Sequence, residues 1–76
     1  MKLQTVNVIE IKNDDFQSIV SFSDDEEGNR QAEEQMFKIA KENGYTGTAN
    51  NADEFMDDEG DYWENESGYK VLITHS

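Results

Sequence analysis

The run Asp57-Asp58-Glu59-Gly60-Asp61 sets four carboxylates within five residues, a local density of hard oxygen ligands that suits a divalent cation. A calcium loop of the helix-loop-helix kind also needs glycine at its sixth position and glutamate at its twelfth. Counted from Asp53 those positions hold Asp58 and Glu64, and counted from Asp57 they hold Tyr62 and Gly68. The run therefore implies weak, nonspecific cation binding and no resident metal. His75 is the one histidine and stands next to the last residue, where chain ends fray and a general base would lack an orienting partner. The serines are not set in a Gly-x-Ser-x-Gly turn, and Gly44 and Gly47 do not make a phosphate-cradling loop. Paired carboxylates abound, but an acid/base dyad needs burial to separate two pKa values, and these acids lie in hydrophilic runs. No catalytic residue, cofactor or enzymatic activity is expected.

What the residues do supply is charge. The chain has 18 Asp and Glu against 6 Lys and Arg in 76 residues, a net of −12. Eight acids and no base fall between Asp53 and Glu66, and six acids with Arg30 alone fall between Asp24 and Glu34. Like charge at this density costs stability through self-repulsion and creates a field that steers a basic partner to the surface. It repels nucleic acid and anionic lipid alike, so direct binding to either is not expected. The magnitude also exceeds the net charge of about 2 to 8 that keeps a small domain soluble.

The elements that must position these acids are short. Leu3 to Ile11 alternates as a strand, with Leu3, Thr5, Asn7, Ile9 and Ile11 on one face. Asn13-Asp14-Asp15 is turn-prone, and Phe16 to Phe22 alternates again with Phe16, Ser18, Val20 and Phe22 together, which predicts a β-hairpin. Ser23 to Glu26 has capping-box spacing, but Asn29 offers a second start, and the favoured helix runs from about Asn29 to Asn43. Its apolar stripe is Ala32, Met36, Phe37, Ile39 and Ala40. Tyr45 to Asn51 reads as a connector that could hold a short strand at Tyr45 to Thr48, with Asn51 able to cap a helical turn carrying Phe55 and Met56. Tyr62 to Glu64 and Tyr69 to Thr74 read as strands joined by Asn65 to Gly68. The expected fold is a single α+β domain over residues 1–76, ββαββ, an antiparallel sheet with one helix packed on it. Eight aromatics argue for a folded core, although a chain of this size buries only about 60 to 65% of its unfolded surface.

The absence of cysteine excludes disulfides, and neither a membrane span nor a signal-peptide core is legible, so a cytoplasmic location is expected. The thin core and the low-charge first hairpin are compatible with a homodimer. It should meet through that hairpin or the helix, with the acids outward.

The carboxylates can also be read as phosphates. Alternate residues on one face of a strand lie about 6.6 Å apart, close to the ~7 Å between neighbouring phosphates of one DNA strand that follows from an axial advance of about 3.4 Å. Glu59, Asp61, Glu64 and Glu66 across the second hairpin are the candidates for such a row, continued from the connector by Asp53, Asp57 and Asp58. Glu33 with Asp24, Asp25, Glu26 and Glu27 would form a second row. Tyr62 and Trp63 point to opposite faces of a strand, so one is expected to be exposed, and Trp63 is included in the partner surface as an aromatic anchor.

In size, acidity and lack of catalytic residues the chain resembles the phage-encoded DNA-mimic and host-takeover proteins that block host nucleic-acid-binding proteins. The resemblance is one of character over the whole chain. It implies a basic nucleic-acid-binding protein as partner, met in the host bacterial cytoplasm. A mimic that offers charge without base edges suits a target that reads backbone charge and deformability, such as a histone-like HU-type nucleoid protein. The competing readings are an acidic immunity protein or antitoxin that neutralises a nuclease, and a plain protein-interaction module whose acids only keep it in solution.

Overall fold

A computed structural model describes residues 4–76. Strands β1 (Thr5–Lys12) and β2 (Asp15–Ser23) form the first hairpin, followed by helices α1 (Glu26–Glu42) and α2 (Ala52–Glu59) and strands β3 (Tyr62–Glu64) and β4 (Tyr69–His75). The sheet is antiparallel throughout in the order β2-β1-β4-β3, so the two terminal strands of the chain lie side by side at its centre. The expected α+β class and all four strands are present. The expected ββαββ order is corrected to ββααββ: residues 52–59 form a second helix, and no strand forms at Tyr45 to Thr48. Leu3, expected to open the first strand, lies outside the described residues.

The first hairpin turns on Asn13 and Asp14, which both take positive φ (51° and 66°). These are the paired left-handed conformations of a two-residue turn whose twist matches its strands, and Asn and Asp tolerate them. A bulge breaks the ladder close to this turn. Glu10 faces Ser18 but Ile11 faces Phe16, so Gln17 is an extra residue in β2. Side chains alternate with a period of two, so the extra residue turns Phe16 to the face opposite Val20 and Phe22, against the sequence expectation.

Both helices pack on one face of the sheet. Val6 and Val8 of β1, Val71 and Ile73 of β4 and Trp63 of β3 point into this seam, where they meet Ala32, Met36, Phe37, Ile39 and Ala40 of α1 and Phe55 of α2. The apolar stripe expected on α1 is buried entire. Helix α1 begins three residues before the favoured start. Asp25, and not Asn29, caps it, its Oδ1 accepting from the Gly28 N–H at 2.7 Å.

Gly28 is required by a close approach rather than by a turn. A Cβ there would stand 1.7 Å from the Ser23 carbonyl oxygen, closer than any non-bonded approach allows. Gly28→Ala should force the chain entering α1 to move and lower stability by about 1–3 kcal/mol, the usual cost of overpacking. Urea unfolding of the two proteins would measure it, and a loss within error of zero would contradict the packing described here.

Candidate functional site

The two acidic runs of the sequence are far apart in the chain and adjacent in space. Helices α1 and α2 lie against each other on the same face of the sheet, joined through Phe55, whose ring sits 5.2 Å from that of Phe37 and 5.1 Å from that of Tyr45. Along their junction runs a groove of about 570 Å³ bounded by Glu26, Glu27, Asn29, Arg30 and Glu33 of α1 and Asp53 of α2. Burial raises the pKa of Glu33, and the negative charges of Asp53 and Asp61 raise it further. Glu33 from the first run therefore feels Asp53 and Asp61 from the second.

The one base of this groove is engaged. Arg30 donates from Nη1 to Glu34 Oε2 at 2.7 Å and from Nε to Glu27 Oε2 at 3.2 Å. Its hydrogen bonds and charge hold Glu27 below the ordinary carboxylate range. Asp24 is also lowered, by the Asn29 side-chain amide at 2.8 Å and by His75 at 3.3 Å. His75, at the end of β4, thus touches the start of the first acidic run.

Helix α2 carries its acids at an energetic cost. Asn51 caps it by accepting from the Glu54 N–H at 2.9 Å, and Asp53 and Glu54 in the first turn suit the positive end of the helix dipole. Asp57, Asp58 and Glu59 then occupy the last turn, where the dipole is negative and no base stands. Asp53 and Asp57, and likewise Glu54 and Asp58, are like charges one turn apart, each pair unfavourable by about 0.2–0.5 kcal/mol. The carboxyl of Glu59 is raised by burial and by its hydrogen bond and charge interaction with Asp58. An isolated helix of eight residues is not stable in water, so α2 exists because Phe55, wholly buried, anchors it.

The predicted site residues are therefore arranged differently from the expected rows. Asp53, Asp57, Asp58 and Glu59 were expected on a connector or strand and stand on α2, while Asp61 lies between α2 and β3. Glu64 is the only acid among them on a strand, and Glu66 lies in the β3–β4 turn. A strand-spaced row of carboxylates is thus replaced by a helix-borne one. Glu59, Glu64 and Glu66 meet around a second hollow of about 510 Å³, beyond the far end of α2. Trp63 is 6% exposed and belongs to the core, so it is not a surface anchor; of the adjacent pair it is Tyr62, 47% exposed, that reaches solvent. Sequence alternation required the two to differ but gave no means of deciding which faced the helices.

Among the described residues no three His, Asp or Glu side chains converge as a metal site, and no helix is long and apolar enough to cross a membrane. No protein-family model matches the chain, and comparisons with curated proteins and with solved structures return no match.

The position of Glu33 has a measurable consequence. Its pKa is raised on folding, so its ionisation opposes the folded state at neutral pH, and the penalty fades as pH falls through the folded value toward the ordinary value of 4.5. Glu33→Gln should raise stability at pH 7 by on the order of 0.5 kcal/mol, the scale of one like-charge pair. The gain should vanish below about pH 4.5. Thermal melts of both proteins across this range would test it, and a gain that persisted in acid would remove repulsion as the cause.

Proposed function

We propose that this protein is a DNA mimic. It presents its acidic helix layer to the basic nucleic-acid-binding surface of a host protein and competes there with DNA. The observation that carries this reading is the placement of acids where they cost stability. Solubility would be served by carboxylates at helix N-termini and interleaved with lysines, yet α2 ends in three acids at its negative pole and faces Glu33 across a groove with Asp53. A surface that opposes its own fold is explained when a partner's Lys and Arg relieve the repulsion on binding. The acids carry no base-edge pattern, so the partner best matched is one that binds DNA through backbone charge and bending, a histone-like HU-type nucleoid protein in a bacterial cytoplasm. With α2 in place of a strand row the strand-spaced match to phosphates is lost, and the reading rests on the density and placement of the charge.

The test is an affinity capture from nuclease-treated bacterial lysate in about 0.15 M salt, followed by competition for labelled duplex DNA. The expected result is recovery of one basic DNA-binding protein, displaced from DNA by this chain with an affinity that falls steeply as salt rises. Recovery of a nuclease toxin would instead assign an immunity role. A partner bound equally well at high salt would make the acids incidental.

A further inference from the structure

The sheet has a second face, and neither helix covers it. Residues whose parity opposes the helix side form a stripe across all four strands: Ile19 of β2 pairs with Ile9 of β1, Ile9 with Leu72 of β4, and Leu72 with Tyr62 of β3. Beside it the bulge brings Phe16 next to Ile11. Among the described residues the three large apolar side chains left exposed, Phe16 at 63%, Ile19 at 50% and Tyr62 at 47%, all stand on this face. Monomeric proteins rarely leave a contiguous apolar patch larger than a few hundred Å² in water.

We infer that this open sheet face is the interface of a twofold homodimer, two copies stacking sheet on sheet with their helix layers outward. Three features select a second copy as the occupant. The first is charge. The charged side chains that the strands project from this face are Lys70 and Glu64, and Lys70 Nζ lies 3.5 Å from Asp14 and 4.0 Å from Glu64. The face is thus close to neutral on a chain of net charge −12, so it is the surface on which two such chains meet with least repulsion. A basic surface finds no row of acids here to pair with. The second is area. Three strands of seven to nine residues and the three-residue β3, about 4.8 Å apart, give a footprint of roughly 400 Å². Side-chain relief raises the accessible area above that footprint, toward the lower end of the range of about 600–1,000 Å² per partner used by stable interfaces. The third is geometry. Sheets stack about 10 Å apart. Each sheet then has a helix layer behind it, so the two acidic arrays stand on opposite outer sides, separated by several Debye lengths of about 8 Å.

The bulge at Gln17 acquires a role in this arrangement, because without it Phe16 would point to the helix side. The polar end of the same face is already satisfied internally: Asn7 accepts from Ser21 Oγ at 2.6 Å and donates to Ser76 Oγ at 3.2 Å. The apolar stripe, not this network, is what lacks a cover among the described residues.

This dimer uses the sheet face alone and does not depend on what the acids bind. Sedimentation equilibrium from micromolar to near-millimolar protein should give twice the chain mass of 8.7 kDa. The association should hold or strengthen as salt rises, opposite to the expected behaviour of the acidic surface. The double variant Ile19→Lys, Tyr62→Lys should sediment as a monomer with an unchanged far-ultraviolet spectrum. A monomeric parent protein over this range, or a variant that remains dimeric, would overturn the proposal. Should the variant fail to fold, nuclear Overhauser effects between chains in a mixture of isotope-labelled and unlabelled parent protein decide the matter. They are expected between the methyl groups of Ile9, Ile19 and Leu72, and effects confined to the β2 edge or to α1 would overturn the face-to-face arrangement.

Discussion

Changing Asp57, Asp58 and Asp61 together to lysine should weaken binding to a basic nucleic-acid-binding partner at least 100-fold while making the protein more stable. The two effects have opposite signs because the same acids serve the partner and oppose the fold. Each change replaces an attraction to the partner by a repulsion. Two unit charges about 4 Å apart in water interact by about 1 kcal/mol, so three reversals forfeit up to about 6 kcal/mol before screening. Half of that is still more than a 100-fold loss. In the free protein the net charge falls from −12 to −6, and α2 gains two cations in a last turn that has none. Each cation there contributes about 0.3–1 kcal/mol through the dipole, and the two repulsive pairs with Asp53 and Glu54 become attractive. Against these gains stands the long hydrogen bond that Tyr45 donates to Asp58 at 3.4 Å, which a lysine at that position cannot accept. Binding by calorimetry and stability by urea unfolding would read both effects. Unchanged binding would sink the mimic reading in favour of a plain interaction module, and a destabilised variant would refute the account of α2.

The parts of the fold that sequence revealed were those with a strong period. Strands β1, β2 and β4 alternate over seven to nine residues, and the buried stripe of α1 recurs at helical spacing, so their existence and the core-facing set on α1 follow from pattern alone. The misreadings have separate physical causes. Asp25 and Asn29 are both good capping residue types, so residue type alone does not choose the start of α1; in the fold Asp25 caps it, and Gly28 is a helical residue selected by the Ser23 carbonyl pressed against it. The expected helical turn capped by Asn51 and carrying Phe55 and Met56 is present, but it extends to eight residues through an acidic last turn with repulsive pairs, an extension that local preference opposes and packing at Phe55 sustains. The bulge at Gln17 has no marker in DFQSIVSFS, so the turning of Phe16 to the open face could not be foreseen.

The candidate site was legible as composition and not as arrangement. Which residues are acidic is plain from the chain, and that they form two runs is equally plain. That Glu33 shares a groove with Asp53 depends on α1 and α2 crossing the same face, which no local signal encodes. The neutrality of the opposite face was similarly hidden, because Lys70 and Asp14 are brought together by the pairing of the two central strands.

Phe55→Ala should be the most damaging single substitution, lowering stability by about 3–5 kcal/mol through the burial forfeited and the cavity left behind. A domain of 76 residues has only about 4–11 kcal/mol in total. Phe55 is 0% exposed and is the residue of α2 buried in the core, so its removal releases the helix that carries Asp53, Glu54, Asp57, Asp58 and Glu59. Trp63, the single tryptophan and a member of the same cluster, should report the change as a shift of its fluorescence toward that of a solvated indole. Phe55→Leu, which conserves most of the volume, should recover all but about 1.5 kcal/mol. The pair also separates two meanings of acidity, because both variants keep the net charge of −12. If the partner recognises the arrangement of carboxylates, Phe55→Ala should bind poorly and Phe55→Leu should bind as the parent does. Equal binding by all three would mean that the partner responds to net charge alone, and the ordered acidic layer would then need another explanation.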